Sequence, residues 1–238
     1  MKRTGLLIVF LTSLLFNVQA QVSLGIRTGY TAANMEISGD VRSELGDVSG
    51  AMKTFHGWHL DLVINMPLGY DGFYLQPVIR YITKGTSFQG SRIPKAELTG
   101  VYIPTGSQMK LNYLELPFNI IYKCPLGVGS ITGGFGPYVG YGLQGRYDFD
   151  IMQNGRSVTQ NSKQVQFSRR EDNNLAVVRM YPWDAGANFT LGYEFDNGLM
   201  LSANYSMGLT DIDRIARMST KNKYLGVSVG FLFNREDY

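Results

Sequence analysis

An all-β protein is expected: a single eight-stranded antiparallel transmembrane β-barrel with short periplasmic turns and four long extracellular loops. Three observations predict it. Apolar side chains recur at every second position through about eight segments of roughly ten residues each. After residue 20 no stretch reaches the roughly 18 consecutive apolar residues that a membrane-crossing helix requires. The links between segments alternate between short, turn-forming sequences and long polar ones, as in barrels that cross an outer membrane.

Bulk properties agree. The chain has 238 residues, 44% of them hydrophobic and 17% charged, a size common for a single all-β domain. Its formal net charge of +3, with no Lys/Arg block, excludes nucleic acid as a partner. Cys124 is the only cysteine, which rules out an intramolecular disulfide and leaves no cysteine cluster for a metal.

Residues 1–20 read as a secretory leader: Lys2 and Arg3, an apolar run from Gly5 to Phe16, then Val18-Gln19-Ala20 for cleavage. No cysteine follows Ala20 to take a lipid anchor. The expected organisation is a leader over 1–20, an outer-membrane barrel over 21–233 and a short tail over 234–238.

The first strand is Val22 to Tyr30, with Val22, Leu24, Ile26, Thr28 and Tyr30 on one face. The second is Gly57 to Met66, aligning Trp58, Leu60, Leu62, Ile64 and Met66. Phe73 to Thr83 follows, with Phe73, Leu75, Pro77, Ile79 and Tyr81 together. The fourth, "LNYLELPFNIIYK" (Leu111 to Lys123), sets Leu114, Leu116, Phe118, Ile120 and Tyr122 against Tyr113, Glu115, Pro117 and Asn119. The fifth is Ile131 to Leu143, the sixth Trp183 to Phe195, the seventh Leu199 to Leu209 and the eighth Tyr224 to Phe233. "PLGYDG", "KCPLGVGS" and "DNG" are the short turns, because Asn and Gly tolerate positive φ. Residues 31–56, 85–110, 144–182 and 210–223 form the long polar links, with room for strand extensions above the membrane.

In a membrane barrel the apolar rows meet lipid and the polar rows fill the lumen. An inward charge then needs a partner. The expected lumen cluster contains Arg27, Asp61, Arg80 and Glu115, pairing Arg27 with Asp61 and Arg80 with Glu115. Gln76, Asn188 and Asn204 are expected to extend it. Tyr30, Phe73, Tyr81, Tyr122, Trp183, Phe195, Tyr224 and Phe233 gather near strand ends, which suits two interfacial girdles. The opposite rows hold many small residues, among them Gly134, Gly136, Gly140, Gly226 and Gly230, which a narrow lumen requires. A soluble ligand-carrying barrel would turn the apolar rows inward, where so many large side chains would not fit.

The segments "LQPVIRYITKG", "LNYLELPFNIIYK", "GGFGPYVGYGL", "SANYSMGLTDI" and "YLGVSVGFLF" resemble the Bacteroidetes-type outer-membrane β-barrel family called PorT-like. The resemblance covers essentially the whole mature chain. It implies an eight-stranded barrel, export to the cell outer membrane, and a role beside a protein-secretion system. "NREDY" after Phe233 departs from the family's habit of ending on a strand aromatic.

An eight-stranded lumen is filled by side chains, so wide diffusion is excluded and a narrow ion or small-solute channel is the alternative. His56 and His59 are the only histidines; His59 has inward parity near Asp61 and is the one candidate acid/base. No serine sits in a nucleophile motif, "GGFGPYVGYG" lacks phosphate-loop spacing, and no cofactor or metal motif is present. Asn188-Phe-Thr and Asn204-Tyr-Ser match a glycosylation pattern by chance inside strands. The reading is a non-enzymatic, monomeric barrel with a structural or interaction role. Its expected partners are outer-membrane lipid, lipopolysaccharide and secretion or envelope proteins, with "SRRED" (168–172) at a loop tip.

Overall fold

A computed structural model describes residues 22–39, 52–89, 104–153, 156–168, 178–213 and 218–233. The expected leader, the 234–238 tail and all of the 168–172 charge run except Ser168 lie outside the described residues. One sheet contains β1 (Ser23–Gly39), β2 (Met52–Lys53), β3 (Phe55–Pro67), β4 (Phe73–Gln89), β5 (Pro104–Pro125) and β6 (Gly129–Gln153). It continues with β7 (Arg156–Phe167), β8 (Val178–Met180), β9 (Trp183–Phe195), β10 (Leu199–Gly208) and β11 (Met218–Phe233).

Strands β1, β3, β4, β5, β6, β9, β10 and β11 pair antiparallel in that order, and the ring of eight closes where β1 meets β11. Closure follows from the solvent. Hydrocarbon offers no hydrogen bonds, so an open edge would leave a row of unsatisfied backbone groups. The turns at one end are tight. Gly127 at φ 65° and Gly198 at φ 89° take the left-handed conformation that turns of this length need.

Burial decides which face meets lipid. Leu62 and Leu116 are 45% and 39% exposed, whereas Asp61 and Glu115 are fully buried. Two belts of outward aromatics frame the apolar band. Near the short turns lie the pairs Phe73–Tyr122, Tyr193–Phe195 and Phe231–Phe233. At the other end Trp58 meets Tyr81, and Tyr141 meets Trp183. Tyr224 is a correction: it is buried in the lumen. It shares parity with Gly226, Ser228 and Gly230, not with the outward Leu225 and Val227.

Much of the long links is strand, the extensions above the membrane for which they had room. β5 has 22 residues and β6 has 25, against roughly nine to eleven needed to cross a bilayer. Both continue outward past the upper belt. There β6 takes on β7, which the sequence reading did not anticipate, and β8 adds to β7 in parallel.

Replacing Phe118, midway between the belts on β5, with Arg is expected to destabilise the barrel by about 2–4 kcal/mol. Denaturant titration of vesicle-inserted protein measures this, and unchanged stability would contradict the outward assignment.

Candidate functional site

Inward parity delivers charges from four neighbouring strands to one level of the lumen. β1 supplies Arg27, β3 Asp61, β4 Arg80 and Lys84, and β5 Glu115, while Asp184 arrives from β9 across β6. All six are buried. Three cations and three carboxylates balance, as burial demands.

Asp61 is the centre of one half. Arg80 donates to it with two nitrogens, Nε to Oδ1 and Nη2 to Oδ2, each at 2.8 Å. Arg27 donates from Nε to Oδ2 at 2.9 Å, and from Nη1 to Ser202 Oγ at 3.1 Å. Lys84 is the centre of the other half, donating to Glu115 Oε1 at 2.7 Å and Asp184 Oδ2 at 2.6 Å. Its ammonium also lies 4.2 Å from the centroid of the Tyr113 ring. Asp184 further accepts from Asn222 Nδ2 at 2.8 Å and the Tyr138 hydroxyl at 3.2 Å.

The Tyr224 hydroxyl joins the halves. It accepts from Arg80 Nη1 at 2.9 Å and donates to Glu115 Oε2 at 2.6 Å, which uses its single proton and one lone pair. The four residues anticipated from sequence are therefore brought into one network, with one pairing corrected. Arg80 and Glu115 are direct cross-strand neighbours, yet Arg80 binds Asp61 on its other side. A guanidinium fork fits a carboxylate in the two-point geometry that Asp61 offers, and Glu115 is left to Lys84 and Tyr224.

Sequence reasoning missed Lys84, Asp184, Tyr113, Tyr138 and Tyr224 as members. Asp184, Tyr113 and Tyr138 did carry the signal, since each has the inward parity of its strand. Lys84 lay one residue past the expected end of its strand. Gln76, Asn188 and Asn204 stand apart from the ionic network. Gln76 donates to Asn65 at 2.7 Å; Asn188 donates to Asn119 at 2.9 Å and accepts from Ser206 at 2.6 Å. These contacts lie toward the short turns, below the charges, with the Lys123–Glu194 pair (2.7 Å) lower still. The buried Asn204 amide has no partner among the described residues.

His59 is inward and fully buried, its Nδ1 3.0 Å from the Thr31 hydroxyl. Gly29 makes room for it: a Cβ there would lie 2.8 Å from the imidazole. His56 is on the exterior, stacked on Tyr30 and hydrogen-bonded to its hydroxyl.

Above the charges the lumen turns apolar. Met35, Phe55, Ile82, Leu111, Met180 and Ile212 form a buried cluster with Tyr113 and Tyr224. Met180 ends β8 and Ile212 lies on the link after β10, and the two segments are tied together, the Tyr181 N–H donating to Ile212 C=O at 3.0 Å while Pro182 C=O accepts from Gly142 N–H at 2.7 Å.

A closed ring with lipid-facing belts and a filled, charge-balanced lumen defines a small barrel of the bacterial outer membrane. The chain belongs to the family described as outer membrane protein beta-barrel domain, whose model matches residues 15–214. Comparison with curated proteins finds no match. Among solved structures the chain is similar to Neisserial surface protein A, at 11% identity and TM-score 0.39, covering 88% of this chain and 97% of that one. It is also similar to the attachment invasion locus protein of Yersinia pestis, solved with the heparin analogue sucrose octasulfate, at 11% identity and TM-score 0.36, covering 89% and 99%.

Asp61→Asn should destabilise the barrel by about 3–5 kcal/mol, because Arg27 and Arg80 lose the carboxylate they share. Glu115→Gln should cost less, since Lys84 keeps Asp184. Heat-modified gel mobility and denaturant midpoints rank the two, and the reverse order would refute the assigned pairing.

Proposed function

We propose that this barrel is a non-enzymatic structural and interaction protein. It anchors a strand-built platform on the outer surface, as an accessory to protein secretion or surface-component assembly. The observation that carries this reading is the lumen. Charged side chains that bind one another across its middle leave none free to bind a passing solute. An apolar cluster then covers its outward end. The likeness of five strand segments to the PorT-like group supports the link to secretion.

Catalysis has no support from the histidines. His59 and Thr31 are both fully buried beneath the apolar cluster, so their contact reads as the satisfaction of two buried polar groups. A narrow ion path is the second reading, favoured by one observation. Asn65 Nδ2 and both polar atoms of the Asn204 side chain, toward the short turns, are buried without hydrogen-bond partners among the described residues. Such atoms call for water, and water in the lower lumen would be half of a conduit.

Planar-bilayer recording separates the two. The purified barrel is expected to stay silent, with no discrete current steps. Reproducible single-channel steps that vanish on boiling would overturn the scaffold reading in favour of the ion path. A tag placed in a surface loop should recover envelope proteins from outer-membrane extracts, and recovery of none would remove the interaction role.

A further inference from the structure

Alternation fails at one point in β6. Tyr138, Gly140 and Gly142 face the lumen, so Gln144 and Arg146 should too. They do not. Pairing with β5 runs Tyr113 to Gly142 and then Asn112 to Gln144, leaving Leu143 as an extra residue. This bulge puts Leu143 and Gln144 both on the exterior, returns Gly145 to the lumen side opposite Leu111, and sends Arg146 outward. Re-aiming a side chain at a barrel rim is a recognised use of a bulge.

The re-aimed Arg146 lands directly opposite Lys110 of β5. Like charges facing each other across a strand pair repel. Arg146 has relief from Asp148, Nε to Oδ1 at 2.9 Å, and donates from Nη2 to Ser162 Oγ at 3.1 Å. Lys110 has no carboxylate partner among the described residues. Between them opens a cleft of about 360 Å³, whose floor and walls include Asn112, Gln144, Ser162 and Gln164. Every one of these is a hydrogen-bond donor. The cleft sits on the outer wall immediately above the upper aromatic belt: Leu114 and Tyr141 pair just below it and are exposed to lipid. That height is the headgroup layer of the outward leaflet.

We propose that this cleft binds the phosphate of a phosphorylated glycolipid in the outer leaflet, with Lys110 and Arg146 neutralising it. A phosphate bridging the two cations removes their mutual repulsion, and the surrounding amides and hydroxyl donate to its remaining oxygens. The lipid's acyl chains would continue down over Leu143, Leu114 and Tyr141. The inference rests on the placement of the barrel in the outer membrane and is independent of whether the lumen conducts.

The test uses the full folded chain in dodecylmaltoside micelles, titrated with bis-phosphorylated lipid A, with bound lipid counted by native mass spectrometry. Lys110→Gln with Arg146→Gln is expected to retain the glycolipid about tenfold less well, the loss of two charge-assisted contacts being worth at least that factor. Lys221→Gln with Lys223→Gln, on the exterior of β11, should bind as the unmodified protein does. Asp148→Asn frees Arg146 and should raise retention, a gain that misfolding cannot mimic. Dephosphorylated lipid A should bind the unmodified protein and the cleft variant alike, and millimolar inorganic phosphate should not displace the glycolipid. Equal retention of bis-phosphorylated lipid A by the unmodified protein and a folded cleft variant overturns the proposal. So does a fall in retention with Asp148→Asn, or full displacement by inorganic phosphate.

Discussion

Six charged side chains lie in the middle of this barrel with hydrocarbon on the far side of the wall. Neither phase they could retreat to is open: the strands fix them inward, and the lumen is too narrow to hydrate them freely. Their stabilisation comes from one another and from the few lumenal hydroxyls and amides within reach, and the network has the form this requires. Charges balance, the guanidiniums share Asp61, the ammonium is divided between Glu115 and Asp184, and the Tyr224 hydroxyl connects the two groups. Removing either shared charge, Asp61 or Lys84, leaves two buried partners without the counter-ion they divide, which costs more than the intact pairs contribute. Such a network specifies one arrangement of strands, because a shift of one residue would carry the charges to the lipid side.

The rest of the barrel accommodates that centre. Bulky inward groups come from β4 and β5, and β6 answers with Gly134, Gly136, Gly140 and Gly142. Gly134 is one case, where a Cβ would collide with Ile121 Cδ1 of β5; Gly140 has more room, its Cβ falling 3.2 Å from Glu115 Cγ. Below, amides pair with amides. Above, the lining becomes apolar, where Met180 at the end of β8 and Ile212 after β10 pack together from two separate segments. Dielectric contrast gives the order a reason. An ionic layer bound to itself tolerates an apolar neighbour better than a layer of half-satisfied amides would, so the dry cap sits on the charges and the amides face the periplasmic turns.

Parity alone made the barrel legible. Leu62 out and Asp61 in, or Leu116 out and Glu115 in, follow from alternation once a membrane is assumed, and Arg27, Asp61, Arg80 and Glu115 emerge as buried together. Partner choice was not legible, because it depends on how far a side chain reaches across the lumen. Arg80 and Glu115 face each other in the register and still bind elsewhere. Tyr224 shows a second limit. A tyrosine near a strand end suits an interfacial belt, and only its agreement in parity with Gly226 and Ser228 places it among the charges. β7 shows a third: "SVTQNSKQVQ" is polar on both faces, as suits a strand standing in water above the membrane, and such a strand has no amphipathic signature to read.

Bulges set the last limit, and an instructive one. Counting by twos along β6 from Tyr138 predicts a lumenal Arg146, a buried cation in a wall already balanced in charge. One extra residue at Leu143 prevents that and places the guanidinium outside, opposite Lys110. The repulsion so created has no use to the barrel itself, since folding would be better served by a neutral residue at either position. Asp148 relieves Arg146 alone, at 2.9 Å, so the face-to-face pair keeps one cation, Lys110, without a carboxylate among the described residues, and an anion between the two would offset what repulsion remains. Charge balance is thus handled differently on the two sides of the wall: inside, the chain supplies every counter-charge, and outside it supplies Asp148 for Arg146 and none among the described residues for Lys110.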